Sequence, residues 1–187
     1  MKNEVTYKKG MASWSVIVFL GIAFLSQLAF AQKAGSAQQI AVAKTLKAGL
    51  TTIGILSTTI DDKEIEKWTR AGMTLGVKVV IGKARVSMDV AGLYRTLVKD
   101  KGAQVIIIPD ASDDVMTGVG FEFLRETAIT DQVGVFAPTE ALVANGALCC
   151  VTSEGGKLKA FVNQKIAAVL GANVPSDPGT SVTYVVK

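Results

Sequence analysis

Apolar and polar positions in this chain fall into short blocks. Unbroken apolar runs rich in β-branched residues recur, and each stops at a turn-forming cluster. Val105-Ile106-Ile107-Ile108 stops at Pro109-Asp110. Val133-Gly134-Val135-Phe136 stops at Ala137-Pro138-Thr139-Glu140, and Ala147-Leu148-Cys149-Cys150-Val151 stops at Thr152-Ser153-Glu154. Such runs describe strands buried on both faces, which belong in parallel sheets covered by helices. Residues 51–57 and 77–81 supply two earlier strands, and residues 104–108, 133–136 and 147–151 the other three.

Helical spacing fills the intervals. Residues 40–50 predict a short helix that ends near Gly49. Residues 61–75 place Ile65, Trp68, Ala71, Met73 and Leu75 at helical intervals, with Asp61, Asp62 and Glu64 in the first turn and Gly76 as the stop. Ser87 is a candidate N-cap for a helix whose inner stripe is Val90, Leu93, Tyr94, Leu97 and Val98. Residues 121–129 predict a third long helix, and Pro138 opens a short one through Ala144, where its missing N–H costs nothing. Residues 158–170 predict a last helix with Phe161, Val162, Ile166, Val169 and Leu170 inward, and residues 181–186 a terminal strand.

Strands alternating with helices imply βαβ units with right-handed crossovers. The predicted fold is an α/β three-layer sandwich. Its sheet is mostly parallel, five-stranded and flavodoxin-like, in the order 2-1-3-4-5, and residues 181–186 can add a C-terminal edge strand. In that architecture ligands sit beyond the carboxyl ends of the strands.

The first 31 residues carry a different pattern. Lys2, Lys8 and Lys9 precede the apolar run 16–25, and Ala29-Phe30-Ala31 follows as a small-residue cleavage site before Gln32. A positive start, a short apolar core and an A-x-A end make a secretory signal peptide. The apolar run is shorter than the roughly 20 residues of a spanning helix. The reading is a cleaved signal over residues 1–31, a flexible lead-in over 32–39, a single α/β domain over 40–187, and a periplasmic location.

Composition narrows the chemistry. The 187-residue chain has a formal charge of +4, of which +2 lies in its first nine residues. No basic cluster interleaved with aromatics supports nucleic-acid binding. There is no histidine, which excludes Ser-His-Asp and Cys-His mechanisms and histidine-containing metal sites. Cys149 and Cys150 are adjacent in a strand and point to opposite faces, so they read as buried thiols, with a redox role or an intermolecular bridge as the alternative.

Asp110, Ser112, Asp113 and Asp114 follow the third strand. Clustered carboxylates there suit a metal or polar ligand, or equally a turn and the N-cap of the next helix. The loop lacks the calcium-loop pattern. Gly118-Val119-Gly120 lacks the third glycine of a dinucleotide fingerprint. Gly155-Gly156-Lys157 lacks the upstream glycine and the following Ser/Thr of a phosphate loop, and reads as a flexible approach to the last helix.

The topology gathers Ser57, Thr58 and Thr59, then Asp110 and Ser112, then Thr139 and Glu140, then Ser153 and Glu154 along one rim of the sheet. Of these, Ser57, Thr58, Asp110, Ser112, Thr139, Glu140 and Ser153 are the candidate ligand-binding residues, for a small polar solute. No pair has a spacing that compels acid–base catalysis, so no catalytic residue, metal or cofactor is expected and the chain reads as non-enzymatic.

Two family resemblances follow. Ile108-Pro109-Asp110, then Val135-Phe136-Ala137-Pro138-Thr139-Glu140 with Gly146-Ala147-Leu148, then Val169-Leu170-Gly171 with Pro175 resembles one lobe of ABC transporter substrate-binding proteins of the uncharacterised periplasmic type. The likeness spans about residues 40–177 and implies solute binding tied to an ABC-type transport or sensing system, with a membrane transporter or sensor as partner. That family closes two lobes over a solute and these residues account for one, so capture implies a second surface, from a homodimer or another protein. Gly146, Glu154, Gly156-Lys157, Val162-Asn163 and Gly171 also resemble the exported YfiR-like proteins. Their aromatic N-terminal YNFAKF helix is replaced here by IAVAKTLKAG. That resemblance implies a periplasmic regulator that binds a membrane-bound diguanylate cyclase or sensor.

Overall fold

The computed structural model describes residues 32–176 and 182–187, which fall in a single compact unit. The expected signal peptide over residues 1–31 lies outside the described residues, as do residues 177–181.

Five parallel strands form the centre of the sheet. They are β2 (Thr52–Ser57), β3 (Lys78–Lys83), β4 (Val105–Ile107), β5 (Gly134–Phe136) and β6 (Cys149–Glu154), in the order β3-β2-β4-β5-β6. This is the predicted 2-1-3-4-5 order. The sheet is larger than five strands. β7 (Lys157–Val162) pairs antiparallel with β6, β8 (Val182–Val186) pairs parallel with β7, and β1 (Gln32–Lys33) pairs antiparallel with the far end of β6. β8 is the added edge strand expected from residues 181–186.

Side chains alternate across the sheet and build two cores. Ile53, Ile55, Val105, Ile107, Phe136 and Cys149 face α1 (Ser36–Leu46), α2 (Asp62–Leu75) and α7 (Gln164–Val169). Leu56, Ile106, Ile108, Val135 and Cys150 face α3 (Asp89–Arg95), α5 (Val119–Thr130) and α6 (Glu140–Ala144). A short α4 (Asp114–Thr117) precedes α5, and a π-helical turn over Thr96–Asp100 continues α3. Cys149 and Cys150 are buried free thiols in opposite cores. Burial pushes the Cys150 thiol up to about 11 and raises Cys149 as well.

Local chemistry sets the boundaries of α2. The Asp61 side chain accepts from the Glu64 amide at 2.8 Å, and Gly76 closes the helix at φ 66°. A Cβ on Gly72 would lie 2.4 Å from Val79 Cγ2 and 2.6 Å from the Val77 carbonyl, so only glycine lets α2 approach β3 this closely.

Three expectations need correction. Residues 158–170 are not one helix: Lys157–Val162 is β7, and only Gln164–Val169 is helical. Phe161 and Val162 face opposite cores, as neighbours on a strand must. Gly155 and Gly156, at φ 57° and 79°, form the tight hairpin turn between β6 and β7 rather than a flexible approach to a helix. The segment 32–39 is also ordered into elements: it holds β1, and α1 starts at Ser36.

Candidate functional site

The strand order reverses between β2 and β4. β2 connects outward to β3, while β4 leads the other way to β5 and β6. The loop after β2 crosses to α2 on one face, and the loop after β4 crosses to α4 and α5 on the other. A crevice opens at such a point, beyond the carboxyl ends of the strands.

Here the chain fills the crevice with its own side chain. Asp113 is 1% exposed. Its Oδ2 accepts from Ser57 Oγ at 3.0 Å and from the Thr58 amide at 2.6 Å. Its Oδ1 accepts from Thr58 Oγ1 at 2.7 Å and from the Met116 amide at 3.1 Å. One carboxylate therefore satisfies four donors, three of them from Ser57 and Thr58 at the end of β2, more than 50 residues upstream. A buried carboxylate persists only when so paired.

Asp110 lies closer to solvent. Its Oδ1 accepts from the Ser112 amide and hydroxyl, both at 2.9 Å, and its Oδ2 from Thr59 Oγ1 at 3.3 Å. The Ser112 amide bond leads in holding the Asp110 carboxyl below its usual value; burial opposes it, and the Ser112 hydroxyl, the Lys33 charge and the Thr59 hydroxyl add to the lowering. Ser57 Oγ also accepts from the Thr59 amide at 3.1 Å.

Ser57, Thr58, Asp110 and Ser112 thus fall into one hydrogen-bonded cluster, joined by Thr59 and Asp113. Ser57 is fully buried within it. Each hydroxyl has one proton to give. Those of Ser57 and Thr58 go to Asp113, and those of Ser112 and Thr59 to Asp110. What the cluster still offers outward is lone pairs.

The other candidates stand apart. β6 starts level with the end of β5, with Phe136 opposite Cys149, and continues to Glu154. At about 3.4 Å per residue it rises about 17 Å past that level. Ser153 lies on this raised stretch, inside the strand and paired with Leu158 and Gln32, rather than in a loop beyond it. β1 packs against the same stretch and brings Lys33 near Asp110. Glu140 opens α6 and pairs with Lys187, and Thr139 is the N-cap of α6 with no side-chain capping bond.

Sequence reasoning ranked Asp113 as one carboxylate among several, although it is the group on which the crevice closes. Its only local signal was the N-cap spacing to Met116. Among the described residues, no group of three or more His, Cys, Asp or Glu side chains is placed to hold a metal ion.

No protein-family model matches the chain, and no curated protein matches it. Solved structures do. An ABC domain from Streptococcus pneumoniae in complex with L-Trp superposes with a TM-score of 0.66 at 18% identity, covering 82% of this chain and 60% of that one. A conserved domain protein from Vibrio cholerae gives 0.65 at 18% identity, over 83% of this chain and 61% of its own. The ligand-free, open form of a substrate-binding protein with adhesive properties from Clostridium difficile gives 0.66 at 18% identity, over 82% and 60%. The chain spans about 60% of the length of these proteins. The likeness shows the fold: an α/β three-layer sandwich with a largely parallel sheet, of the kind that substrate-binding proteins use.

Proposed function

We propose that this chain is a periplasmic, non-enzymatic, substrate-binding-protein-like domain that contacts a small polar solute at the carboxyl-end rim of its sheet, within an ABC-type transport or sensing system. The observation that carries this reading is the polar cluster at the point of strand reversal, in a fold shared with substrate-binding proteins. Asp110, Ser112 and Thr58 are the proposed contacts at the crevice, with Ser57 holding the loop from beneath. Thr139 and Glu140 would contribute from the start of α6, and Ser153 from the raised stretch of β6. Because the hydroxyl protons are already given to carboxylates, the rim favours a solute that presents donors, such as an ammonium or hydroxyl group. A second copy of the chain, or another protein, would supply the facing surface.

A second reading is a YfiR-like regulator that binds a membrane-bound cyclase or sensor. Its support is apolar exposure around the same rim: Val86 is 53% exposed, Met88 88% and Val119 70%. Exposed apolar side chains at these strand-end segments offer surface for a protein contact.

Native mass spectrometry of the protein purified gently from the periplasm separates the two. A retained small-molecule adduct, or a dimer that forms with one, supports solute binding. A bare monomer counts against it and favours the regulator.

A further inference from the structure

Among the described residues, one buried side-chain polar atom has no hydrogen-bond partner: the indole Nε1 of Trp68, on α2. Trp68 is 1% exposed and belongs to the apolar core on that face of the sheet. It also lines a pocket of about 250 Å³ between the start of α1 and the first turns of α2, together with Lys33, Gly35, Ser36, Glu64 and Lys67. The apolar core has nothing to give an N–H, so the pocket is the side from which an acceptor can come.

The rest of the pocket is short of acceptors too. α1 is eleven residues long, and the amides of its first turn have no partner within the helix. Gly35 at the N-cap has no side chain to cap them, and the first turn holds no acidic residue. Gln38 folds back to accept from the Gly35 amide at 2.7 Å, while the Ser36 and Ala37 amides meet no acceptor among the described residues. Lys33 and Lys67 add two ammonium groups against one carboxylate, Glu64, which pairs with Lys67 at 2.7 Å.

We propose that the pocket between α1 and α2 is an oxyanion site for a phosphate group, either free or at the end of a small phosphomonoester. The amides at the start of α1 and the Lys33 ammonium bind its oxygens, and Trp68 Nε1 donates to one of them. Amides and dipole at a helix N-terminus favour such an anion. The donors arrive from three elements, β1, α1 and α2, and a tetrahedral oxyanion has an oxygen to turn toward each. None of these residues is a proposed rim contact, so the site does not rest on the solute reading.

The test titrates ¹⁵N-labelled protein, purified from the periplasm, with sodium phosphate at pH 7.5, and with sodium chloride at matched ionic strength as control. In phosphate the Trp68 indole N–H and the Ser36 and Ala37 amide resonances move along one saturation curve, half complete at about 1 mM. Lys33→Ala weakens this binding about tenfold, and Trp68→Phe, which keeps a ring but removes the donor, about fivefold. Glu64→Gln removes the one carboxylate of the pocket and tightens binding about threefold.

An indole resonance that responds to phosphate no more than to chloride overturns the proposal, since water then serves Trp68 as well. Binding that neither Lys33→Ala nor Glu64→Gln alters overturns it too, and marks an adventitious ion only. Lys33 and Glu64 lie at the surface, so these two variants decide the matter even if Trp68→Phe fails to fold. Glycerol phosphate identifies the source: tighter binding than inorganic phosphate supports a phosphomonoester, and weaker binding supports the free anion.

Discussion

The crevice between β2 and β4 and the hairpin of β6 and β7 occupy the same rim of one sheet, and they are held by opposite means. At the crevice the strands end, and the backbone leaves the ladder in two directions. Its polar groups must find side chains, and Asp113 alone takes two backbone amides together with two hydroxyls. At the hairpin the strands do not end: six residue pairs from Cys149↔Val162 to Glu154↔Lys157 carry the ladder to the turn. Stability at the first region is concentrated in one carboxylate. At the second it is spread over a ladder in which no single side chain is indispensable.

That contrast is broken most easily at Asp113. Asp113→Ala leaves four donors facing a void and costs about 3 kcal/mol, read as a lowered urea midpoint with unchanged slope. A loss below about 1 kcal/mol would mean that water satisfies the donors as well as the carboxylate does, and the crevice would then be no more concentrated than the hairpin.

The hairpin has one sensitive place, its turn. Gly156 sits at φ 79° with open space around the position of a Cβ, so a substitution there meets backbone strain and no steric clash. Gly156→Val costs about 1.5 kcal/mol, because a β-branched residue resists positive φ. Gly155→Asn, at φ 57°, stays within about 0.5 kcal/mol of wild type, since asparagine tolerates that region. Equal losses for the two variants in urea unfolding would show that the turn is not what limits the hairpin.

Smaller still is the ion pair across the hairpin. Lys159 pairs with Glu154, and both side chains are about two-fifths exposed. Glu154→Ala costs about 0.5 kcal/mol at low salt, and the difference disappears on adding salt to about 1 M. A larger, salt-insensitive loss would make the hairpin as dependent on one side chain as the crevice is.

How far the sequence revealed these two regions follows from the same contrast. The parallel strands were legible because runs such as Val105-Ile106-Ile107-Ile108 are apolar on both faces, which a half-exposed strand is not. β7 was hidden because Lys157–Val162 runs almost directly into the helix Gln164–Val169. Phe161, Val162, Ile166, Val169 and Leu170 then read as one helical stripe across both elements. The Gly-Gly dipeptide is the signal that divides them, and it marks a two-residue hairpin turn. The rim was legible in outline, since strand order alone places Ser57 beside Asp110. Which carboxylate turns inward was not. Asp110, Asp113 and Asp114 differ little in local sequence, and the choice depends on donors at Ser57 and Thr58. Lys33 was invisible for a related reason: β1 is two residues long and carries no periodic pattern.

The crevice also carries a pH dependence that can be isolated. Asp110 has its carboxyl held below the ordinary value, chiefly by the Ser112 amide. On acidification the unfolded chain therefore takes up this proton before the folded one. The contribution to stability is complete above the unfolded carboxylate value and is lost as pH falls through the folded one. Asp131 behaves in the same direction, its carboxyl lowered first by the Lys99 hydrogen bond, so acid weakens two places at once. Ser112→Ala separates them. It deletes the hydroxyl bond at 2.9 Å and keeps the amide bond, so Asp110 moves part of the way back toward its unfolded value. Between about pH 7 and pH 3 the variant then loses less stability than wild type, with the gap opening only toward the acid end. Urea midpoints across that range measure it, and the gap is small because Asp110 is partly exposed to solvent. Parallel curves for the two proteins would assign the acid sensitivity to Asp131 and its lysine, on the α3–α5 side of the fold, and leave the crevice dependent on Asp113 alone.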